Sequence, residues 1–237
     1  MKAVVQAFVR AGRDLLRGDV LWQVLWPPLL AALIWTVAGI ALWTEALMVL
    51  EGFLPALPWS GWDVLTRWAA GFLLVVALVS LTYATALLLV AVVALPLLIT
   101  RIAARDYPDL VRHGENPFWG SLGNTLAAGA VFIVVGLVTL PLLLIPGLVL
   151  VLPLVWTAWL NQRTFRFDAL AEHATRAEVR RLVSEQRSAF IWAGLGTAAL
   201  AYVPLLQLFA PAFTALVFVH LGLGALRRLR QAQGVML

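Results

Sequence analysis

Long uncharged stretches alternate with short charged segments along the chain. The uncharged stretches are residues 20–44, 68–100, 116–162 and 188–226. A helix needs about 20 residues to cross a hydrocarbon core about 30 Å thick, and each of these stretches is longer than that. The pattern predicts an all-α, polytopic membrane protein, with residues 1–237 forming a single membrane domain.

The basic residues predict how the chain is oriented. Nearly all of them fall in residues 1–19, 101–115, 163–187 and the tail from residue 227, and residues 45–63 contain none. Because loops rich in Lys and Arg stay in the cytoplasm, we expect both termini to be cytoplasmic. The exception is Arg67, for which we predict a pair with Asp63, four residues earlier on the same helix.

This orientation makes residues 20–100 two long transmembrane helices. The two later uncharged stretches begin and end on one side, so each is predicted to be a membrane-entering helical hairpin, 116–162 and 189–226. Their midpoints contain prolines and almost no polar residues, which is compatible with turns inside the bilayer. For the first hairpin a full crossing fits equally well, whereas the arms of the second are short for one.

Two amphipathic segments flank these membrane elements. Residues 1–19 are predicted to lie at the membrane interface. Residues 163–188 are predicted to contain a cytoplasmic helix, because Thr175 and Glu178 have capping-box spacing and Leu182 lies on its apolar face. We expect no cleavable signal peptide and a first span that is retained.

Composition excludes several classes of function. The chain is 62% hydrophobic and 12% charged, with no cysteine, so disulfides and zinc–thiolate sites are excluded. The pI near 10.7 reflects arginines that the topology needs, so we expect no nucleic-acid partner. His220 is expected to be a hydrogen-bonded histidine near the membrane boundary. Since no catalytic or ligand motif is found, we expect no enzyme activity, no cofactor and no metal.

Two classes of function remain open. The predicted membrane segments contain no Asp or Glu, which argues against a proton-coupled carrier, and no nucleotide-binding motif is found, which argues against an ATP-driven pump. A passive permease or a non-transporting scaffold remains. Backbone amides and arginines before the first span, the segment Arg101–Arg105, and a polar residue in the first hairpin could supply donors for an anion. Alternatively, the arginines only orient the protein and contact lipid. The candidate anion-binding residues are Gly12, Arg13, Arg17, Gly18 and Asn124.

Four segments resemble the CysZ-like sulfate permeases of the etoposide-induced-protein domain superfamily. They are "GRDLLRGDVLWQVLWPPLL", "ENPFWGSLGNTL", "FDALAEHATRAEVRRLVSEQRSAF" and "YVPLLQLFAPAFTALVFVHLGLGALRR". The resemblance covers about residues 5–230. It implies two long spanning helices, two hairpins that enter from one side, and assembly as a homo-oligomer.

The resemblance also implies ATP-independent import of sulfate across the bacterial inner membrane for sulfur assimilation. The family's anion site is attributed to a glycine–leucine–arginine motif before the first span. This chain has Gly18–Asp19–Val20 at that position, so the glycine matches and the arginine is absent. We expect Arg13 and Arg17 to substitute. The partners expected are therefore membrane lipids, a small inorganic anion such as sulfate, and further copies of the chain.

The alternative expectation is a scaffold or quality-control protein of the same fold. Such a protein would hold its partners through the cytoplasmic helix at residues 175–188.

Overall fold

A computed structural model describes residues 1–54, 61–114, 117–207 and 209–234. Every regular element in these ranges is helical, which confirms the predicted all-α class. Most of the helices are joined by short turns. In chain order they are α1 (Lys2–Leu15), α2 (Gly18–Phe53), α3 (Trp62–Leu89), α4 (Leu95–Asp106), α5 (Pro117–Thr139), α6 (Leu148–Ala171), α7 (Arg176–Glu185), α8 (Arg187–Leu200), α9 (Pro204–Gln207) and α10 (Ala210–Gln233).

Within the described residues, four helical stretches are long and apolar enough to cross a membrane. Two are α2 and the stretch Trp62–Asp106, in which a π-helical turn at Val90–Ala94 joins α3 to α4. The others are Trp119–Leu144 and Ala210–Gln233, one arm of each hairpin. The second arms are α6 and α8. These two long helices and two hairpins confirm the predicted architecture.

The length of α8 limits how it enters the bilayer. It contains 14 residues, which at 1.5 Å per residue span only about 21 Å, less than a hydrocarbon core of about 30 Å. In the first hairpin, a 3₁₀ turn at Leu140–Leu144 and Gly147, with φ of 90°, reverse the chain.

The chain forms two compact units. The hairpin unit contains Met1–Leu21 and Leu95–Leu237, and the long-helix unit contains Trp22–Ala94. The assignment of the whole chain to a single membrane domain, with the segment boundaries given above, stays a prediction.

The long-helix unit is an antiparallel pair of apolar helices. Trp35 Nε1 donates to Thr85 Oγ1 at 2.9 Å, and Gly39 leaves room for Leu78. Large apolar side chains such as Ile40 and Phe72 face outward, as suits a surface in contact with lipid.

The predicted pair of Arg67 with Asp63 is wrong. The guanidinium of Arg67 instead pairs with Glu51 across the two helices, with Nε 3.5 Å from Oε1. The neighbouring helix places the Glu51 carboxylate within reach. Because the Arg67 side chain is 78% exposed, the pair contributes little to stability.

The hairpin unit is built around α10. Its apolar side chains are buried against α1, α4, α6 and α8. The ring of Phe190 on α8 stacks on Phe218 at 6.3 Å between centroids. The backbones of α6 and α8 approach closely at Gly194, where an added Cβ would lie 2.5 Å from the carbonyl oxygen of Ala158. Glycine is therefore required there by packing.

The predicted capping box at the start of α7 is confirmed. The Thr175 side chain accepts from the Glu178 amide, and the Glu178 carboxylate accepts from the Thr175 amide at 2.7 Å. The same carboxylate pairs with Arg230 of α10, whose Nη1 and Nη2 also donate to the carbonyl oxygens of Val111 and His173. One buried arginine thus joins α10 to α7 and to the two segments that contain Val111 and His173.

Candidate charged cluster in the hairpin unit

One face of α1 is made of small residues and ends in a carboxylate. Val4, Ala7, Ala11 and Asp14 are the buried residues of this helix. Their spacing of three and four places them in one stripe. The stripe packs against α10 and α8, so the carboxylate of Asp14 enters the protein rather than water.

Asp14 has two charged or polar partners from distant parts of the chain. Its Oδ2 lies 2.8 Å from His220 Nε2 on α10, and its Oδ1 accepts from Arg105 Nη2 of α4 at 2.5 Å. The Asp14 side chain is 10% exposed and that of His220 is 1% exposed. A buried carboxylate without partners would be costly, so these bonds are needed for Asp14 to be tolerated here.

Arg105 joins Asp14 to a second carboxylate. Its Nε donates to Asp106 Oδ1 at 2.7 Å, and its Nη2 donates to Asp106 Oδ2 at 3.1 Å. Its remaining nitrogen, Nη1, is buried and has no hydrogen-bond acceptor among the described residues. A buried N–H group without an acceptor is uncommon and marks a place where an added oxygen atom would be stabilised.

Tyr107 completes the cluster from the segment that follows α4. Its hydroxyl lies 3.3 Å from His220 Nδ1 and 3.3 Å from the carbonyl oxygen of His220. Burial raises the pKa of Tyr107, so the phenol keeps its proton and remains a donor. Since a carboxylate accepts, His220 Nε2 carries the proton of its contact with Asp14, whereas the role of Nδ1 toward Tyr107 depends on the histidine tautomer. The expectation that His220 is hydrogen-bonded is confirmed.

The charged cluster, defined as Asp14, Arg105, Asp106, Tyr107 and His220, has the donor types of a metal site. One ligand atom from each of Asp14, Asp106 and His220 lies within 4.8 Å of the others. However, the guanidinium of Arg105 already bonds both carboxylates and supplies the positive charge that a cation would bring. Arg105 thus offsets part of the negative charge of the two carboxylates.

The predicted residues before the first span lie at the corner between α1 and α2. Arg13 is exposed in the last turn of α1, and Arg17 lies beyond the end of that helix. The Nε of Arg17 pairs with Asp19 Oδ1 at 3.4 Å, so part of its charge is compensated by the residue that follows Gly18. An added Cβ at Gly12 or Gly18 would meet no atom within 4 Å, so packing does not require glycine at either position.

Asn124 forms its hydrogen bond within the first hairpin. Its Nδ2 donates to the carbonyl oxygen of Arg163 at 3.3 Å, which links α5 to α6 within the first hairpin. In the part of the chain that the structure describes, no hydrogen bond or ion pair connects Asn124 to Arg13 or Arg17. The role of all five candidate residues in binding an anion stays a prediction.

The family relationship follows from a comparison of the chain with protein-family models. Residues 7–211 match the family described as "Sulfate transporter CysZ/Etoposide-induced protein 2.4". The chain belongs to this family. The CysZ match includes Asp14, Arg105 and Asp106 and ends before His220. Comparisons with curated proteins and with solved structures found no match.

Sequence reasoning missed most of the charged cluster of this CysZ-family chain. Asp14 lies in the segment predicted to be interfacial. Arg105 lies in the segment Arg101–Arg105, which the sequence offers as a source of anion donors, but it is not among the five candidate residues. One signal was available, because Asp14 continues the helical spacing of Val4, Ala7 and Ala11. Nothing in the sequence indicates which charged residue on another helix would meet it, since Arg105 lies 91 residues away and His220 lies 206 residues away.

Proposed function

We propose that this chain is a passive, ATP-independent anion permease of the bacterial inner membrane, with sulfate or a related oxyanion as its solute. Membership of a family named for sulfate transport supports the coarse function. We further propose that both termini face the cytoplasm and that the chain works as a homo-oligomer in contact with membrane lipids.

The observation that carries this proposal is the unused Nη1 of Arg105. A partly buried arginine whose Nη1 has no acceptor can bind an oxyanion oxygen without first losing a hydrogen bond. The other two nitrogens of Arg105 stay on Asp14 and Asp106, which hold the guanidinium in place. The two carboxylates also lower the affinity of Arg105 for an anion. A conducting site needs such moderate affinity, because the anion must be able to leave.

The exposed arginines at the junction of α1 and α2 support the proposal, because they can attract anions to the entrance of the permease. Arg13 and Arg17 are exposed there and raise the local concentration of an anion before it reaches the cluster. Asp19 reduces this attraction, because its carboxylate lies 3.4 Å from Arg17. We therefore propose a weaker preference for dianions than an arginine at the motif position would give.

The test is uptake of radiolabelled sulfate by liposomes that contain the purified protein, with chloride and phosphate as competitors. Saturable uptake above that of empty liposomes is expected. Arg105→Gln should lower it about tenfold, because a charge-assisted hydrogen bond is worth about 1.5–3 kcal/mol. Arg13→Ala combined with Arg17→Ala should lower it less, and mainly at low ionic strength.

The matched control is Arg228→Ala, which removes an exposed arginine near the end of α10. It should transport like the unchanged protein. Asn124→Leu tests the first hairpin, because it removes the bond to the Arg163 carbonyl. No uptake by protein that is shown to be folded would reject sulfate permeation.

A second candidate function is a scaffold that holds partners through α7. Its outward face carries Arg180 and Arg181, both exposed, while Leu182 faces the protein. Reversal of both charges, Arg180→Glu with Arg181→Glu, should abolish the scaffold function and leave uptake unchanged. Loss of uptake in this variant would place α7 in transport instead.

A further inference from the structure

Two arginines on the polar half of α6 have no carboxylate partner. Arg163 and Arg166 are three residues apart, so they are neighbours on the helix surface, and both are partly buried. Across the described ranges neither forms an ion pair. Burial, and then the charge of Arg163, lower the pKa of Arg166. Their two positive charges therefore repel one another in a partly desolvated environment.

The nearest acidic residues in the sequence are engaged elsewhere. Asp168 accepts a hydrogen bond from Ser121 of α5, and burial raises the pKa of Asp168 despite that bond. Glu172 pairs with Arg112 at 3.9 Å, and Glu185 pairs with Arg181 at 2.7 Å. None of these carboxylates compensates Arg163 or Arg166.

Each of the two guanidinium groups contacts an aromatic ring. The Cζ of Arg163 lies 5.4 Å from the ring centroid of Trp159, and that of Arg166 lies 5.6 Å from the centroid of Phe190. Contact with a ring face fixes a guanidinium and consumes none of its N–H donors. The donors at the edges of both groups stay available.

The start of α8 supplies backbone N–H groups on the same helix whose Phe190 ring contacts Arg166. Phe190 is fully buried and lies in the first turns of this helix. A helical side chain covers the turn that precedes it, so the ring under Arg166 lies toward the N-terminus of α8. The N-cap residue Gln186 makes no side-chain cap, and the first turn has no acidic residue. It carries Arg187, a cation where the helix dipole favours an anion.

We propose that Arg163, Arg166 and the N-terminal turn of α8 form a binding site for a tetrahedral oxyanion, either a free sulfate or phosphate or the phosphate of a lipid headgroup. Two fixed guanidinium groups and uncapped amides are the donors that such an anion requires. The site lies on α6 and α8, whereas the charged cluster lies on α1, α4 and α10. It is tested by binding rather than uptake, so its outcome does not depend on the proposed transport.

The experiment uses the full chain in detergent and measures retention of radiolabelled sulfate and of inorganic phosphate. A second arm measures, by native mass spectrometry, how much phosphatidylglycerol and phosphatidylcholine the protein retains. The test variant is Arg163→Gln with Arg166→Gln. The control is Arg176→Gln with Arg228→Gln, which removes two exposed arginines and the same charge. Both are repeated in the Arg105→Gln background, so that sulfate at the charged cluster does not hide the effect.

Binding in the test variant should be roughly tenfold weaker than in the control, because charge-assisted hydrogen bonds are lost. Loss of sulfate or phosphate identifies a free anion, and loss of phosphatidylglycerol alone identifies a headgroup. Arg166→Lys should retain only part of the binding that Arg166→Gln loses, since lysine keeps the charge but lacks the planar guanidinium group. If thermal melting shows that the double variant is unfolded, the single variants replace it. Equal binding by test and control variants in both arms would overturn the site.

Discussion

The fully buried guanidinium of Arg230 and the carboxylate of Glu178 form a two-point ion pair, with Nε 2.8 Å from Oε1 and Nη2 3.3 Å from Oε2. The pair joins α10, which forms the centre of the hairpin unit, to α7, the most polar helix of the unit. Because Glu178 also caps α7, one carboxylate both starts that helix and attaches it.

Removal of Arg230 should destabilise the protein severely. Arg230→Met leaves a carboxylate without its cation and the Val111 carbonyl oxygen without its donor, while the His173 carbonyl oxygen still accepts from the His113 amide. Breaking a buried pair costs about 3–5 kcal/mol. Unfolding in denaturant, compared with Arg228→Met as an exposed control, measures the loss. The double variant Arg230→Met with Glu178→Gln should be less unstable than Arg230→Met alone, because no bare carboxylate remains. Strict additivity would contradict the proposed coupling.

The same pair predicts a loss of stability in acid. Burial alone would raise the pKa of Glu178, but the hydrogen bonds from Arg230 and Thr175 outweigh it and hold the pKa below its ordinary value of 4.5. A carboxyl group whose pKa is lowered on folding stabilises the fold above its unfolded pKa. That contribution is lost as the pH falls through the folded value. The difference in melting temperature between the unchanged protein and Glu178→Gln should therefore shrink below pH 4.5. A constant difference from neutral pH into acid would refute this assignment.

Gly194 should tolerate no side chain. Gly194→Ala places a Cβ 2.5 Å from the carbonyl oxygen of Ala158, so α6 and α8 must separate. We expect a loss of about 1–3 kcal/mol, as for overpacked cores. Gly129→Ala on α5 is the control, because no atom lies within 4 Å of its added Cβ. This control should be neutral, or stabilising by up to about 1 kcal/mol through helix propensity. Equal stability of the two variants would show that α6 and α8 can adjust.

Asp14 and His220 should be energetically coupled. Single substitutions Asp14→Asn and His220→Phe each remove one side of the 2.8 Å contact, and the double variant removes both. A double-mutant cycle should give a coupling energy of about 0.5–3 kcal/mol. The control cycle pairs Asp14→Asn with Arg228→Ala, which no contact joins in the described structure. A coupling near zero for Asp14 and His220 would mean that Arg105 alone satisfies the carboxylate.

The elements of the fold were accessible from the sequence because each depends on local pattern. Uncharged stretches long enough to cross a bilayer indicated the spanning helices, and the spacing of Thr175 and Glu178 indicated the start of α7. Arg67 shows the limit of such local reasoning. Its neighbour Asp63 lies four residues away on the same helix, yet the pair forms with Glu51 on the other helix.

The site depends on which helices meet, and that information is not local. Arg105 and Arg230 look alike in the sequence, since both are basic residues at the edge of an apolar run. In the structure one nitrogen of Arg105 has no acceptor among the described residues, whereas every nitrogen of Arg230 bonds to Glu178, Val111 or His173. The difference arises from the acceptors that α1 and α7 supply, and no periodicity predicts it.

The sequence separation of Asp14 and His220 also determines when the charged cluster can form during synthesis of the chain. A ribosome that adds about 5–20 residues each second needs roughly 10–40 s to proceed from one to the other; they are 206 positions apart. During that time Arg105 emerges and satisfies one oxygen of Asp14, but the other oxygen waits for α10. An unfinished or truncated chain therefore presents a half-satisfied carboxylate on a helix meant to be buried. The charged cluster therefore closes only when α10 has been synthesised.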